Sequence, residues 1–322
     1  MFVVFEDDGL HPEGTQGARH AEIIRRIPAC LWYHPINGEP LMTNRKRIAL
    51  VVGWGSVKCT AALGLLRVLR REGIEIDLLV GGGGGSIYAA LFALGHPVDD
   101  IVEMNARLWT RDVTELPNRL AILQLLFPRQ FKAREFFYLR EDRLINERLQ
   151  TAFNGKTFAD CIIPLFIPAT DYMTGHQVVL SEGLLWEAVR ASIALPLVFA
   201  PVRRGEQLLA DAYLSDPLPV GVAMREGADI ILALGFESTP IIPLDNFGKF
   251  LFHVQGVMTG NLLKASSAFH SMAHHLEVIS IVPRFDRPIH QFDTHEVPYI
   301  ISVGEREGER ILPQLMRLME ST

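Results

Sequence analysis

An α/β fold with a mostly parallel sheet and helices on both faces is the architecture this sequence predicts, on three observations. Ile48–Val52 (IALVV) is an unbroken apolar, largely β-branched run, as expected of a strand buried on both sides. A glycine-rich turn follows, then Thr60–Arg71, where Leu63, Leu66, Val68 and Leu69 recur at helical spacing before a charged end. The unit then repeats as IDLLV over 76–80, five consecutive glycines and a small-residue helix from Ser86 to Leu94. Strand, helix, strand and helix over about 45 residues is the rhythm of parallel pairing through crossover helices.

Further elements follow in order. A strand is expected near Ile162–Ile167, a helix over Leu184–Ser192, a strand over Ile230–Leu234 and a closing helix over Glu305–Met319. Residues 105–155 are rich in Arg, Phe and Leu at mixed helical spacing and are expected to form a helical cap over the sheet's open end. Phe127, Phe131, Phe136 and Phe137, with Arg129 and Arg140 nearby, suit either a lipid-facing lid or ordinary core packing with flanking charges. Residues 1–45 lack periodicity and lead into the basic run Asn44-Arg45-Lys46-Arg47. They read as an N-terminal arm, with Met42 as an alternative start, or as an extension packed on the domain of residues 46–322.

With 322 residues, 48% of them hydrophobic and 21% charged, the chain can bury a sizeable core. A net charge of −6 argues against nucleic acid as a partner, because phosphate binding needs a basic footprint. Cys30, Cys59 and Cys161 are odd in number and far apart, which offers neither a disulfide framework nor zinc spacing. The acidic start MFVVFEDDGL has no apolar core of a secretory signal, and the longest apolar stretch, Ile76–Gly95, carries Asp77 and the glycines. A soluble, cytoplasmic protein is expected. His270 and His274 lie one helical turn apart, with His275 beside them, but no acid matches their spacing. They, and the acid- and His-rich loop 285–296, read as solvated surface or pocket lining rather than metal ligands. Neither a metal nor an organic cofactor is expected.

A buried strand, then Gly-x-x-x-Gly, then a small-residue helix is the shape of a nucleophile elbow. In Gly81-Gly82-Gly83-Gly84-Gly85-Ser86, the nucleophile position falls on Gly83, framed by Gly81 and Gly85. Glycines also open helices in phosphate-binding loops, but no Lys-Ser/Thr follows here, which counts against a nucleotide-binding module. Ser86 is a poor substitute nucleophile. Tyr88 stands where the elbow would need glycine, and three residues into the helix the hydroxyl turns away from the tip.

Four ordered segments then carry a resemblance. Gly53-Trp54-Gly55-Ser56-Val57-Lys58-Cys59, with Gly64 five residues on, resembles the oxyanion loop of the patatin family: three glycines, a spacer, a basic residue and a glycine. PATDYMTGHQVVLSEG (168–183) and AVRASIALPLVFAPV (188–202) resemble the family's strand, turn and helix-to-Pro segments. LLADAYLSDPLPV (208–220) resembles the stretch that carries its catalytic aspartate. Together they span roughly residues 48–235.

The resemblance implies a lipid acyl hydrolase, a phospholipase or esterase working by a Ser–Asp dyad without cofactor. Asp211 would take the nucleophile's proton, and amides at Trp54, Gly55 and Ser56 would hold the oxyanion beside Lys58. An acyl lipid or ester would be its partner, and contact with a membrane surface is compatible with that substrate. The departures are as informative. Gly83 stands at the serine position, Trp54, Ser56 and Cys59 at loop glycines, and Ala212-Tyr213 where the family has Gly-Gly or Gly-Ala. As written the chain is therefore expected to be inactive, either by a single-site knockout or by natural drift. The alternative is a non-catalytic acyl-lipid-binding pseudoenzyme. Asp211 could also be a turn cap, Lys58 a solvated helix-start charge, and Asp171 reads as a turn acid.

Overall fold

The computed structural model describes residues 45–110, 113, 138–140, 142–238, 243–245, 247–272 and 277–321. The expected arm up to residue 44, the phenylalanines from Phe127 to Phe137 and the side chains of His270, His274 and His275 lie outside them.

The described strands are β1 (Ile48–Val52), β2 (Leu78–Gly81), β3 (Leu165–Asp171), β4 (Gln177–Leu180), β5 (Val202–Arg204), β6 (Gln207–Ala210), β7 (Ile230–Leu234) and β8 (Glu277–Ile281). They form one sheet in the order β5-β6-β3-β2-β1-β7-β8, with β4 also paired to β3. From β3 through β8 the pairing is parallel, and the β3–β6, β5–β6 and β3–β4 pairs are antiparallel. Around it lie α1 (Ala61–Arg71), α2 (Gly85–Ala93), α3 (Val98–Leu108), α4 (Asp142–Phe153), α5 (Leu185–Ser192), α6 (Val220–Arg225), α7 (Phe247–Met272) and α8 (Val297–Glu320).

The two faces of the sheet follow from the two-residue period of a strand. Ile48, Leu50 and Val52 of β1 enter one core with Leu63, Leu66 and Leu69 of α1 and Ile300 and Ile301 of α8. Ala49 and Val51 enter a second core with Val220, Val222 and Ala223 of α6, against which Leu263 of α7 packs. Helices therefore cover both faces, as an all-apolar central strand requires. The α1–α8 contact is backbone on backbone. A Cβ on Gly64 would meet the Ile301 carbonyl oxygen at 2.0 Å, and one on Gly304 would meet that of Ala61 at 2.0 Å.

Several boundaries differ from the sequence reading. β2 is Leu78–Gly81 rather than 76–80. β3 begins at Leu165, not Ile162, whose side chain is 73% exposed, and it runs on through Pro168. α8 starts at Val297, eight residues ahead of the expected helix, with proline in its first turn. The β5–β6 hairpin, α7 and β8 had no counterpart in the expected elements. β1 and β2 are parallel neighbours, so the loops leaving their carboxyl ends, 53–59 and 82–84, emerge side by side. That is where open α/β sheets place their sites.

Candidate active site

The elbow is built by close packing. A Cβ on Gly81 would lie 2.6 Å from Ser86 Cα, and one on Gly85 would lie 2.4 Å from the Val52 carbonyl oxygen. Strand and helix approach too closely at both places for any side chain. Between them the backbone turns sharply, and Gly83 sits at φ +54°, a region that disfavours residues with a Cβ. The turn is fastened by the Gly85 N–H to the Gly82 carbonyl at 3.0 Å and by the Gly83 N–H to Ser192 Oγ at 3.0 Å. Ser192 is held in turn by donating to the Pro168 carbonyl. The Ser86 hydroxyl is wholly buried and donates back to the Gly83 carbonyl at 2.7 Å.

Across from the tip stands Asp211, 3% exposed, at the end of β6. A Cβ on Gly83 would lie 3.1 Å from Asp211 Oδ1. The same oxygen accepts the Tyr213 N–H at 3.1 Å, so Asp211 also caps the 3-10 turn Ala212–Leu214. Its main chain is tied to Thr170, whose hydroxyl donates to the Asp211 carbonyl at 2.8 Å. Burial pushes the Asp211 carboxyl up to about 8, against the opposing pull of the Tyr213 amide.

The loop after β1 lies against the elbow. The Gly53 and Trp54 amides are spent on the carbonyls of Leu234 and Pro217. Those of Gly55 and Ser56 make no hydrogen bond among the described residues. Gly55 is forced by packing, since a Cβ there would lie 2.3 Å from the Phe236 ring. Ser56 occupies a left-handed conformation, φ +52°, where the family pattern has glycine. Its hydroxyl donates to the Gln291 carbonyl.

Trp54 fills the tip. Its Cδ1 would be 2.9 Å from a Cβ on Gly83, and its ring packs on Tyr213 with centroids 5.4 Å apart. Tyr213 accepts a hydrogen bond from Gln255 of α7. The Lys58 ammonium donates to the Glu237 carbonyl at 2.7 Å and lies 6.0 Å from the Phe285 ring centroid. Burial lowers the Lys58 ammonium to about 8, while Cys59 and Glu237 oppose that. Burial and the Asp211 carboxyl push the neighbouring Cys59 thiol upward, out of reach of ionisation near neutrality.

The structure thus brings Gly83, Asp211, Trp54, Gly55 and Ser56 together at the ends of β1, β2 and β6. The 2.9 Å and 3.1 Å approaches to position 83 identify that contact. Residues 50–224, more than half of the chain, match the family model described as Patatin-like phospholipase. The chain belongs to the patatin-like phospholipase family. It is 30% identical over 209 residues to "Patatin-like phospholipase domain-containing protein 7" of Rattus norvegicus, covering 63% of this chain and 14% of that protein. To "Neuropathy target esterase sws" of Drosophila melanogaster it is 28% identical over 209 residues, with the same coverages. An uncharacterized NTE family protein of Mycobacterium tuberculosis is 29% identical over 201 residues, 62% of this chain and 52% of that one. The chain therefore spans about one seventh of the length of the two animal relatives and about half that of the bacterial one.

Other sequence candidates fall elsewhere. Asp171 is a turn acid, its Oδ1 accepting the Met173 and Thr174 amides. In the 285–296 loop, Asp286 and Glu296 pair with Arg287, and Asp293 accepts the His290 amide. A cavity of about 340 Å³ beside α5, lined by Trp186, Arg190, Asp142 and Leu209 among others, shares no lining residue with the elbow. No helix among the described residues is long and apolar enough to cross a membrane. Sequence reasoning missed Ser192 and Gln255, since nothing local marks a residue that acts by reaching a distant turn.

Proposed function

We propose that the cleft at Gly83 is the acyl-transfer site of a patatin-type lipid acyl hydrolase, lacking its nucleophile in this chain. One observation carries this reading. A side chain starting at Gly83 would begin 3.1 Å from Asp211 Oδ1, within reach of a hydroxyl-to-carboxylate hydrogen bond. With serine at 83, the ionised Asp211 would take the hydroxyl proton, and the Gly55 and Ser56 amides, which have no partner among the described residues, would face the developing oxyanion. A base whose pKa sits near 8 is matched to that task. With glycine there, no acyl-enzyme forms. The substrate class is an ester of an acyl lipid. Approach to a lipid surface is supported by α7, which turns Phe250, Val257 and Met258 outward and holds no Asp or Glu along its length.

The test is turnover of short acyl esters by the protein as it stands. Loss of a serine hydrolase nucleophile costs about a millionfold, so the rate is expected near background. Brisk turnover that survives Asp211→Ala but stops on Ser86→Ala would overturn this reading and make Ser86 the nucleophile.

A further inference from the structure

We infer that Trp54 is a plug matched to Gly83: its indole takes the volume of the missing nucleophile, so position 83 cannot be re-armed while Trp54 remains. This rests on reading Gly81–Gly85 as an elbow and goes beyond it. A missing serine leaves an inert but open site, whereas a plug closes it to the ester carbonyl as well.

The crowding is specific. A Cβ on Gly83 would meet Trp54 Cδ1 at 2.9 Å, closer than side-chain carbons approach one another in proteins. At neighbouring Gly82 the corresponding contacts, with Ala212 and Pro219, are an ordinary 3.5 Å. The obstacle at 83 is a ring, with no flexible end to swing aside. The Trp54 main chain is held by its amide N–H donating to the Pro217 carbonyl at 2.8 Å, and the ring rests on Tyr213. Tyr213 is 4% exposed and is held by Gln255 of α7. Tyr213 and Gln255 thus support the indole in series, and Trp54 and Tyr213 stand where the family pattern has glycine and glycine or alanine. A tetrahedral acyl centre at the tip would need the space that the indole already fills.

The experiment compares four proteins: the parent, Gly83→Ser, Trp54→Gly, and the double variant, with Trp54→Ala in place of Trp54→Gly should the latter fail to fold. Thermal unfolding is measured for each. Each is also treated with an alkyl fluorophosphonate at pH 9, where Asp211 is ionised. Labelling joins the serine oxygen to phosphorus, expels fluoride and leaves the hydroxyl proton on Asp211.

If Trp54 is the plug, Gly83→Ser lowers Tm by several degrees in the Trp54 background and by much less once Trp54 is removed. The double variant labels at least a hundredfold faster than Gly83→Ser alone. Equal Tm losses in the two backgrounds, or equal labelling rates for two reactive serine forms, overturn the plug. Tm coupling with neither serine form labelled upholds the plug and rejects the elbow as a catalytic device.

Discussion

The frame of the elbow keeps the family's glycine pattern, whereas its tip departs from it. At Gly81, Gly85 and Gly55 the family's glycine pattern is kept, and there a Cβ would strike backbone or a buried ring at 2.3–2.6 Å. At Trp54 and Ser56 the pattern is broken, although Ser56 bears a left-handed φ that glycine would adopt freely. The difference separates two demands that a motif merges. Frame glycines serve the approach of strand, loop and helix, and that packing is needed with or without catalysis. On the function proposed above, tip residues serve the reaction, and without a nucleophile only local packing would govern them. Asp211 straddles the two, as a turn cap and as a buried acid facing an elbow without a hydroxyl.

The comparison breaks first, and with the largest effect, at Asp211. Its folded pKa is raised to about 8 from an ordinary 3.8, so the folded state resists losing the proton. Stability from this group is complete below about pH 4, falls as the pH rises toward 8 and is flat above. Each pH unit over which only the unfolded chain ionises costs about 1.4 kcal/mol. Asp211→Asn keeps an acceptor for the Tyr213 amide and removes the titration. Relative to the parent it should gain on the order of 3–5 kcal/mol between pH 4 and pH 8 in denaturant unfolding. A constant difference across that range would mean that Asp211 is ionised and well solvated in the fold.

The frame is tested next by Gly85→Ala against Gly82→Ala. The first drives a methyl against the Val52 carbonyl oxygen and should cost about 3 kcal/mol. The second meets only 3.5 Å contacts and should lie within about 0.5 kcal/mol of the parent. Similar costs for both would erase the distinction between packing glycines and permissive ones. The smallest effect belongs to the tip. Ser56→Ala loses the hydroxyl's bond to the Gln291 carbonyl and should destabilise by about 1 kcal/mol, because the strained φ is the same for both residues.

Much of this was legible in the chain itself, for reasons that differ by element. β1 and β7 were placed to the residue because a strand buried on both faces is an unbroken apolar run. The pairing of Gly83 with Asp211 was implied by the family resemblance, to which the glycine spacing and the Asp-to-Pro-Val stretch gave access as local signals. α7 was not, since Gly256 and Gly260 and several β-branched residues weaken its helical pattern. β3 was cut short because a proline within a run normally argues against a strand, yet Pro168 pairs with Val179. The plug was out of reach. The letters say that tryptophan replaces glycine at 54, and only three dimensions say where the ring goes.

The contact between Gly64 and Gly304 bears on how this chain leaves the ribosome. α1 finds a close backbone partner in α8, so it cannot bury the leucines on that side until α8, more than 200 residues further along, has been made. Synthesis runs at roughly 5–20 residues per second, and contacts between distant segments form late. For many seconds the nascent α1 carries an apolar stripe without its cover.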